Sequence, residues 1–128
     1  MRLVQFLLIA MLAVFFTACG SNEPKEVAME YEKAMMKGEV KKLISLINIS
    51  EEEKKQHSKE IEGKLLQITA QAEKQVQAKG GFDKIEFIEE QSDENKSVVN
   101  LKIHFKDGSN INDRVRLEKV NGAWKVRL

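Results

Sequence analysis

Residues 99–128 read VNLKIHFKDGSNINDRVRLEKVNGAWKVRL. Val99, Leu101, Ile103 and Phe105 alternate with Asn100, Lys102, His104 and Lys106. Successive side chains of a strand point to opposite faces, so this segment is a strand with one apolar face. Val115 and Leu117 continue that face, and Trp124, Val126 and Leu128 finish it. The turns follow from register, because directly opposed residues share a face. A two-residue turn at Asn121-Gly122 pairs Leu117 with Val126 and Val115 with Leu128, the signature of a type I′ hairpin. The same kind of turn at Asp107-Gly108 would set Leu101 against Arg114. Pairing Lys106 with Asn110 removes the clash, with Phe105 opposite Ile111 and Leu101 opposite Val115, so a three-residue loop at 107–109 or a bulge is expected in this hairpin. Residues 83–90, around Ile85 and Phe87, give a weaker first strand.

Upstream the period changes to that of helices. Pro24 suits a first helical position, Val27, Ala28, Tyr31, Ala34 and Met35 recur at helical spacing, and Gly38 supplies a stop. Residues 39–47 form a short second helix on Val40, Leu43, Ile44 and Ile47. Ser50 before three glutamates is a capping-box start for a third helix that runs to about residue 78. Its buried stripe is Ile61, Leu65, Ile68, Ala72 and Val76, with a kink expected at Gly63. Three helices followed by four antiparallel strands make an α+β domain.

Ahead of this domain, Arg2 precedes an apolar run over residues 3–16 broken only by Gln5. That run is shorter than the roughly 20 apolar residues of a membrane-spanning helix and suits a signal peptide. Phe16-Thr17-Ala18-Cys19-Gly20 resembles the bacterial lipobox, with Phe16 where leucine is usual. The chain has one cysteine and it stands at this position. Residues 1–18 are therefore expected to be a lipoprotein signal peptide, residues 19–23 the lipidated Cys19 with a short tether, and residues 24–128 the single folded domain. Acyl chains on Cys19 would make the membrane a partner without any spanning helix. No aspartate follows Cys19, which resembles the sorting rule for the outer membrane in a Gram-negative host.

The chain holds 21 Lys+Arg against 20 Asp+Glu. So even a balance argues against a nucleic-acid binder. The distribution is uneven: residues 82–97 hold two lysines and six acids, and residues 98–128 hold seven basic residues and three acids. No phosphate loop and no cysteine–histidine metal spacing appears, so no cofactor or metal is expected.

The domain is similar to a bacterial lipoprotein family of unknown function, whose fold is like that of nuclear transport factor 2 and is also called cystatin-like. The features that carry the resemblance are the opening helix from Pro24 to Gly38, Gly38-Glu39-Val40 at the helix junction, the Asp107-Gly108 hairpin, and the ending Asn121-Gly122-Ala123-Trp124-Lys125-Val126. It spans nearly all of residues 24–128. It implies a curved sheet wrapped on helices with a pocket in the cone between them, and it implies no reaction.

Two sites stand out. Asp113 is in phase with the apolar residues Ile111 and Val115, so it should point toward the helices. An apolar wall would raise its pKa into the range of a general base. Tyr31, Phe105 and Trp124 would line a ligand pocket with it. On the opposite face Lys102, Arg114, Arg116 and Arg127 project together, with Lys102 expected opposite Arg114 and Arg116 opposite Arg127. Either the acids of residues 86–94 fold beside this face and neutralise it, or it receives anionic lipid or an acidic protein. His57 and His104 stand on polar surfaces with no catalytic partner in sequence. The first functional expectation is a membrane-tethered, non-enzymatic binding or scaffold domain of the cell envelope. The alternative is a pocket that binds a small apolar ligand, or acts on one through Asp113.

Overall fold

The structure is a computed structural model that describes residues 23–128. The expected signal peptide, Cys19 and all of the expected tether but Glu23 lie outside the described residues. Helices α1 (Pro24–Lys37), α2 (Val40–Leu46), α3 (Glu51–Gln56) and α4 (Ser58–Ala78) precede strands β1 (Phe82–Ser92), β2 (Lys96–Phe105), β3 (Asn110–Val120) and β4 (Ala123–Val126). The strands form one antiparallel sheet in the order β1-β2-β3-β4. The helices cover one face, where Leu101, Ile103, Val99, Leu117 and Val126 are almost wholly buried.

Pro24 opens α1, and Gly38, at φ +70°, ends it in the left-handed conformation that glycine adopts without strain. The third expected helix is two. Ser50 accepts a bond from the Glu53 amide and starts α3, but the chain breaks at His57 (φ −126°, ψ +26°). The reason is burial. No α3 residue is buried, so nothing holds it in line with α4, which turns to bury Leu65, Thr69 and Val76. Gly63, the expected kink, lies inside α4. Ile68, expected in the buried stripe, is 47% exposed, and Thr69 takes its place. The Thr69 hydroxyl donates to the Leu66 carbonyl at 3.1 Å, which lets a polar residue sit inward at little cost.

The β3–β4 hairpin turns at Asn121 (φ +51°) and Gly122 (φ +82°), with Leu117 opposite Val126 as expected. The β2–β3 hairpin differs. Ile103 pairs with Ile111, Leu101 with Asp113 and Val99 with Val115, two residues away from the expected register. Phe105 and Ser109 close a three-residue loop at 106–108, where Gly108 has φ +89°. A loop of this length wants a left-handed residue in its third position. The expected loop at 107–109 would have put Ser109 there. The Asp107 carboxylate also accepts bonds from the amide and hydroxyl of Ser109, which fixes the tighter turn.

The ladder ends at Val126, although the Arg127 amide still donates to the Arg116 carbonyl at 2.7 Å. Leu128, expected to pair with Val115 inside, is 81% exposed. Trp124 is buried as expected, at 9% exposure. The amide of Asn48, just past α2, donates to the Val126 carbonyl and ties the helical layer to the last strand.

The two glycines make an opposed pair of predictions. A Cβ at either Gly63 or Gly108 meets nothing within 4 Å, so only the backbone decides the outcome. Gly63→Ala should stabilise the domain by about 0.5–1 kcal/mol, because it sits in a helix interior. Gly108→Ala should destabilise it by about 1–2 kcal/mol, because φ is positive there. Urea melts of the two variants measure both signs.

Candidate functional site

α1 carries a feature that residue type alone conceals. Glu32 stands one turn after Ala28, and both are buried, Glu32 to 1% exposure. One of its carboxyl oxygens, Oε1, has no hydrogen-bond partner among the described residues. Burial pushes the Glu32 pKa from 4.5 up to about 9, helped by a hydrogen bond to the Asp113 carboxyl and by that group's charge. Glu32 therefore keeps its proton at neutral pH and donates to the Asp113 carboxylate.

Asp113 shares the inner face with its partner Leu101, as the alternation required. It is nevertheless exposed, because β4 pairs only with residues 117–120 and leaves this part of β3 as an open edge. The Asp113 Oδ1 also accepts the Arg114 amide at 2.9 Å. Tyr31 completes the group. Burial, then the charges of Glu32 and Asp113, push its phenol up to about 12, so it stays a neutral hydroxyl.

The four residues expected to line one pocket separate. Tyr31 and Asp113 come together, with Glu32 as the member that the sequence reading missed. Phe105 is 3% exposed and packs with Val76 and Ile103. Trp124 belongs to the main core with Leu43, Leu101 and Val126. Each ring also has a lysine ammonium over it, Lys79 at 4.7 Å from Phe105 and Lys119 at 5.8 Å from Trp124. These aromatic residues fill the cone rather than line a cavity.

The outer face carries the four expected cations, in a different pattern. The observed register sets Lys102 opposite Asn112 and Arg114 opposite Asn100, so the expected Lys102–Arg114 opposition does not occur. Arg116 lies between Val98 and Arg127, so that juxtaposition stands. The acids of β1 do fold beside this face, but they reach only β2. Glu86 lies 2.8 Å from the His104 Nε2, and Glu89 accepts from the Asn100 carboxamide at 2.9 Å. The His104 bond, with Lys102 and Lys84 nearby, holds the Glu86 carboxyl below its ordinary range. Arg114, Arg116 and Arg127 have no carboxylate within 4 Å among the described residues.

A cleft of about 440 Å³ opens on this face. Lys102, Arg114, Asn100 and Asn112 stand around it, over a floor formed by the strands at Leu101 and Asp113. Its apolar wall is Ile88, 46% exposed, at the β-bulge between Phe87 and Glu89. Bulges re-aim a side chain in this way. A second cleft, of about 480 Å³, lies at the α3–α4 break, where His57 sits 3.4 Å from Glu60. Among the described residues no three histidine, cysteine or carboxylate side chains gather as metal ligands, and no helix is long and apolar enough to cross a membrane.

Four helices on one face of a four-stranded antiparallel meander define an α+β domain of the NTF2-like class. A Campylobacter jejuni protein named "Putative NTF2-like transpeptidase" superposes with a TM-score of 0.72 at 24% identity, over 83% of this chain and 98% of that one. A de novo designed NTF2 fold protein, NT-9, is more distant, with a TM-score of 0.48 at 14% identity over 81% of each chain. The chain belongs to the family described as Domain of unknown function (DUF4878), which it matches over residues 17–127. No curated protein matches it.

Proposed function

We propose that the protein is a non-enzymatic binding domain of the bacterial cell envelope, tethered to a membrane through lipid on Cys19, that meets an anionic partner with the outer face of its sheet. In a Gram-negative host the membrane is the outer one. The observation that carries this reading is the uncovered outer face, on which Arg114, Arg116 and Arg127 lie without a carboxylate partner among the described residues. The partner is anionic lipid or an acidic protein. The filled cone supports a binding role over chemistry inside it.

A second reading, proton transfer on a small ligand at Asp113, is favoured by one observation, the buried Glu32 beside it, whose Oε1 has no hydrogen-bond partner among the described residues.

Two variants test the first reading. Cys19→Ser should abolish incorporation of a fatty-acid analogue and release the protein from the membrane fraction; label retained on the variant removes the anchor from the reading. Arg116→Gln with Arg127→Gln should leave thermal stability unchanged or slightly higher, since relieving like charges on an exposed face harms nothing. The same variant should bind phosphatidylglycerol vesicles more weakly. The difference should shrink with salt, because exposed charges are screened over about 8–10 Å near physiological ionic strength. Unaltered binding at low salt rejects the Arg116–Arg127 patch as the contact.

A further inference from the structure

We infer that the outer-face cleft beside Ile88 is a binding site for an oxyanion joined to an apolar chain, of the alkyl-phosphate class. The inference rests on the outer face being the binding surface and adds a defined site and ligand chemistry to it. The cleft brings together two cations, two carboxamides and an exposed aliphatic side chain from three strands. Lys102 and Arg114 are diagonal neighbours across the β2–β3 ladder, with Asn112 directly opposite Lys102. Diagonal positions lie about 7–8 Å apart, so the two long side chains can converge on a single tetrahedral oxyanion. The Arg114 guanidinium offers the fork that binds two phosphate oxygens at once, and the Lys102 ammonium acts as a point charge on a third.

Glu86 and Glu89 keep their charge but are held on the β1–β2 side by His104 and Asn100, and Asp113 in the floor belongs to the inner face. On β3, Arg114 has no carboxylate within 4 Å among the described residues. Ile88 gives the site its second requirement. Ile88 is a large aliphatic side chain, 46% exposed at the rim of the cleft, on which an apolar chain can pack. A bare phosphate would leave Ile88 in water. A neutral lipid would leave the cations without a counter-charge.

The test is titration of the full-length protein with inorganic phosphate, with octyl phosphate below its micelle concentration, and with phosphatidylglycerol or phosphatidylcholine vesicles, all at low salt. Octyl phosphate should bind roughly tenfold or more tightly than inorganic phosphate, the gain expected from covering an aliphatic side chain. Ile88→Ser should remove that preference. Arg114→Gln should weaken octyl phosphate about tenfold or more, as loss of a charge-assisted contact implies, and Lys102→Gln should weaken it in the same sense. Arg114 is exposed, so these variants should melt with the parent, and their melting curves check this. Vesicle binding that depends on Arg114 identifies a lipid headgroup as the source of the anion. Octyl phosphate binding without vesicle binding identifies a soluble amphiphile. Equal affinity for the two phosphates, or octyl phosphate binding untouched by Arg114→Gln, overturns the site. Loss of vesicle binding in the Arg116–Arg127 variant alone would leave the outer face as the contact and remove only this cleft.

Discussion

Glu32→Gln should abolish most of the pH dependence of stability between about pH 5 and pH 9, and should make the domain more stable than the parent at pH 8. In the folded state Glu32 holds its proton until the pH nears 9, whereas its ordinary value is 4.5. Folding therefore takes up a proton throughout that window. The stability linked to it is full below pH 4.5, falls as the pH rises, and has been lost once the pH passes about 9. One proton gives a slope of up to about 1.4 kcal/mol per pH unit. Glutamine carries no proton to lose, and its amide can still donate to Asp113. The carboxyls held low elsewhere, Glu86, Asp93 and Asp107, act in the opposite sense and at the acid end of the scale, outside this window. Urea melts at four pH values from 5 to 8 measure the slope. A flat parent, or a Gln variant that keeps the slope, would show that Glu32 ionises freely in the folded protein.

Phe105→Ala and Trp124→Ala should each destabilise the domain by about 3–5 kcal/mol, because each ring is closely packed and its removal leaves a cavity as well as a lost transfer term. This outcome separates the two functional readings. A residue that lines an open ligand pocket can be truncated with little loss of stability and a large loss of binding. Losses below about 1 kcal/mol in both variants would mean that the cone is open, and would move the function back inside it. A well-folded Trp124→Ala variant that no longer held an apolar ligand would do the same.

The strands were legible in the sequence because alternation is strict from Val99 onward, and because Asn-Gly names its own turn. The β2–β3 register was not. A slip of two residues returns every side chain to its own face, so the hydrophobic pattern cannot distinguish the two pairings. The choice fell to the φ of Gly108, a backbone property. That slip removed one expected clash, Lys102 against Arg114, and created the diagonal pair that borders the cleft. The break at His57 was hidden for a related reason: α3 and α4 are both helical, and only burial sets their directions apart. Glu32 was passed over because its residue type reads as surface. The signal that could have found it is its four-residue spacing from Ala28. Asp113 was legible as an inward acid, but its partner was not, since the pairing joins residues far apart in the chain across α1 and β3.

The place of β4 has a consequence for how the protein is made. Trp124 and Val126 are both core residues, and both lie in β4, the last strand of the sheet. α1 packs against this last strand, and the Lys125–Ser45 and Asn48–Val126 bonds tie α2 and the residues just past it to the same strand. The core therefore cannot close until β4 has been made, and the apolar faces of the early helices stay uncovered until then. During that time the nascent chain is threadable, and it is also vulnerable to aggregation and to proteases. Removal of β4 would take away the strand on which the helices settle, and with it Trp124 and Val126 from the core.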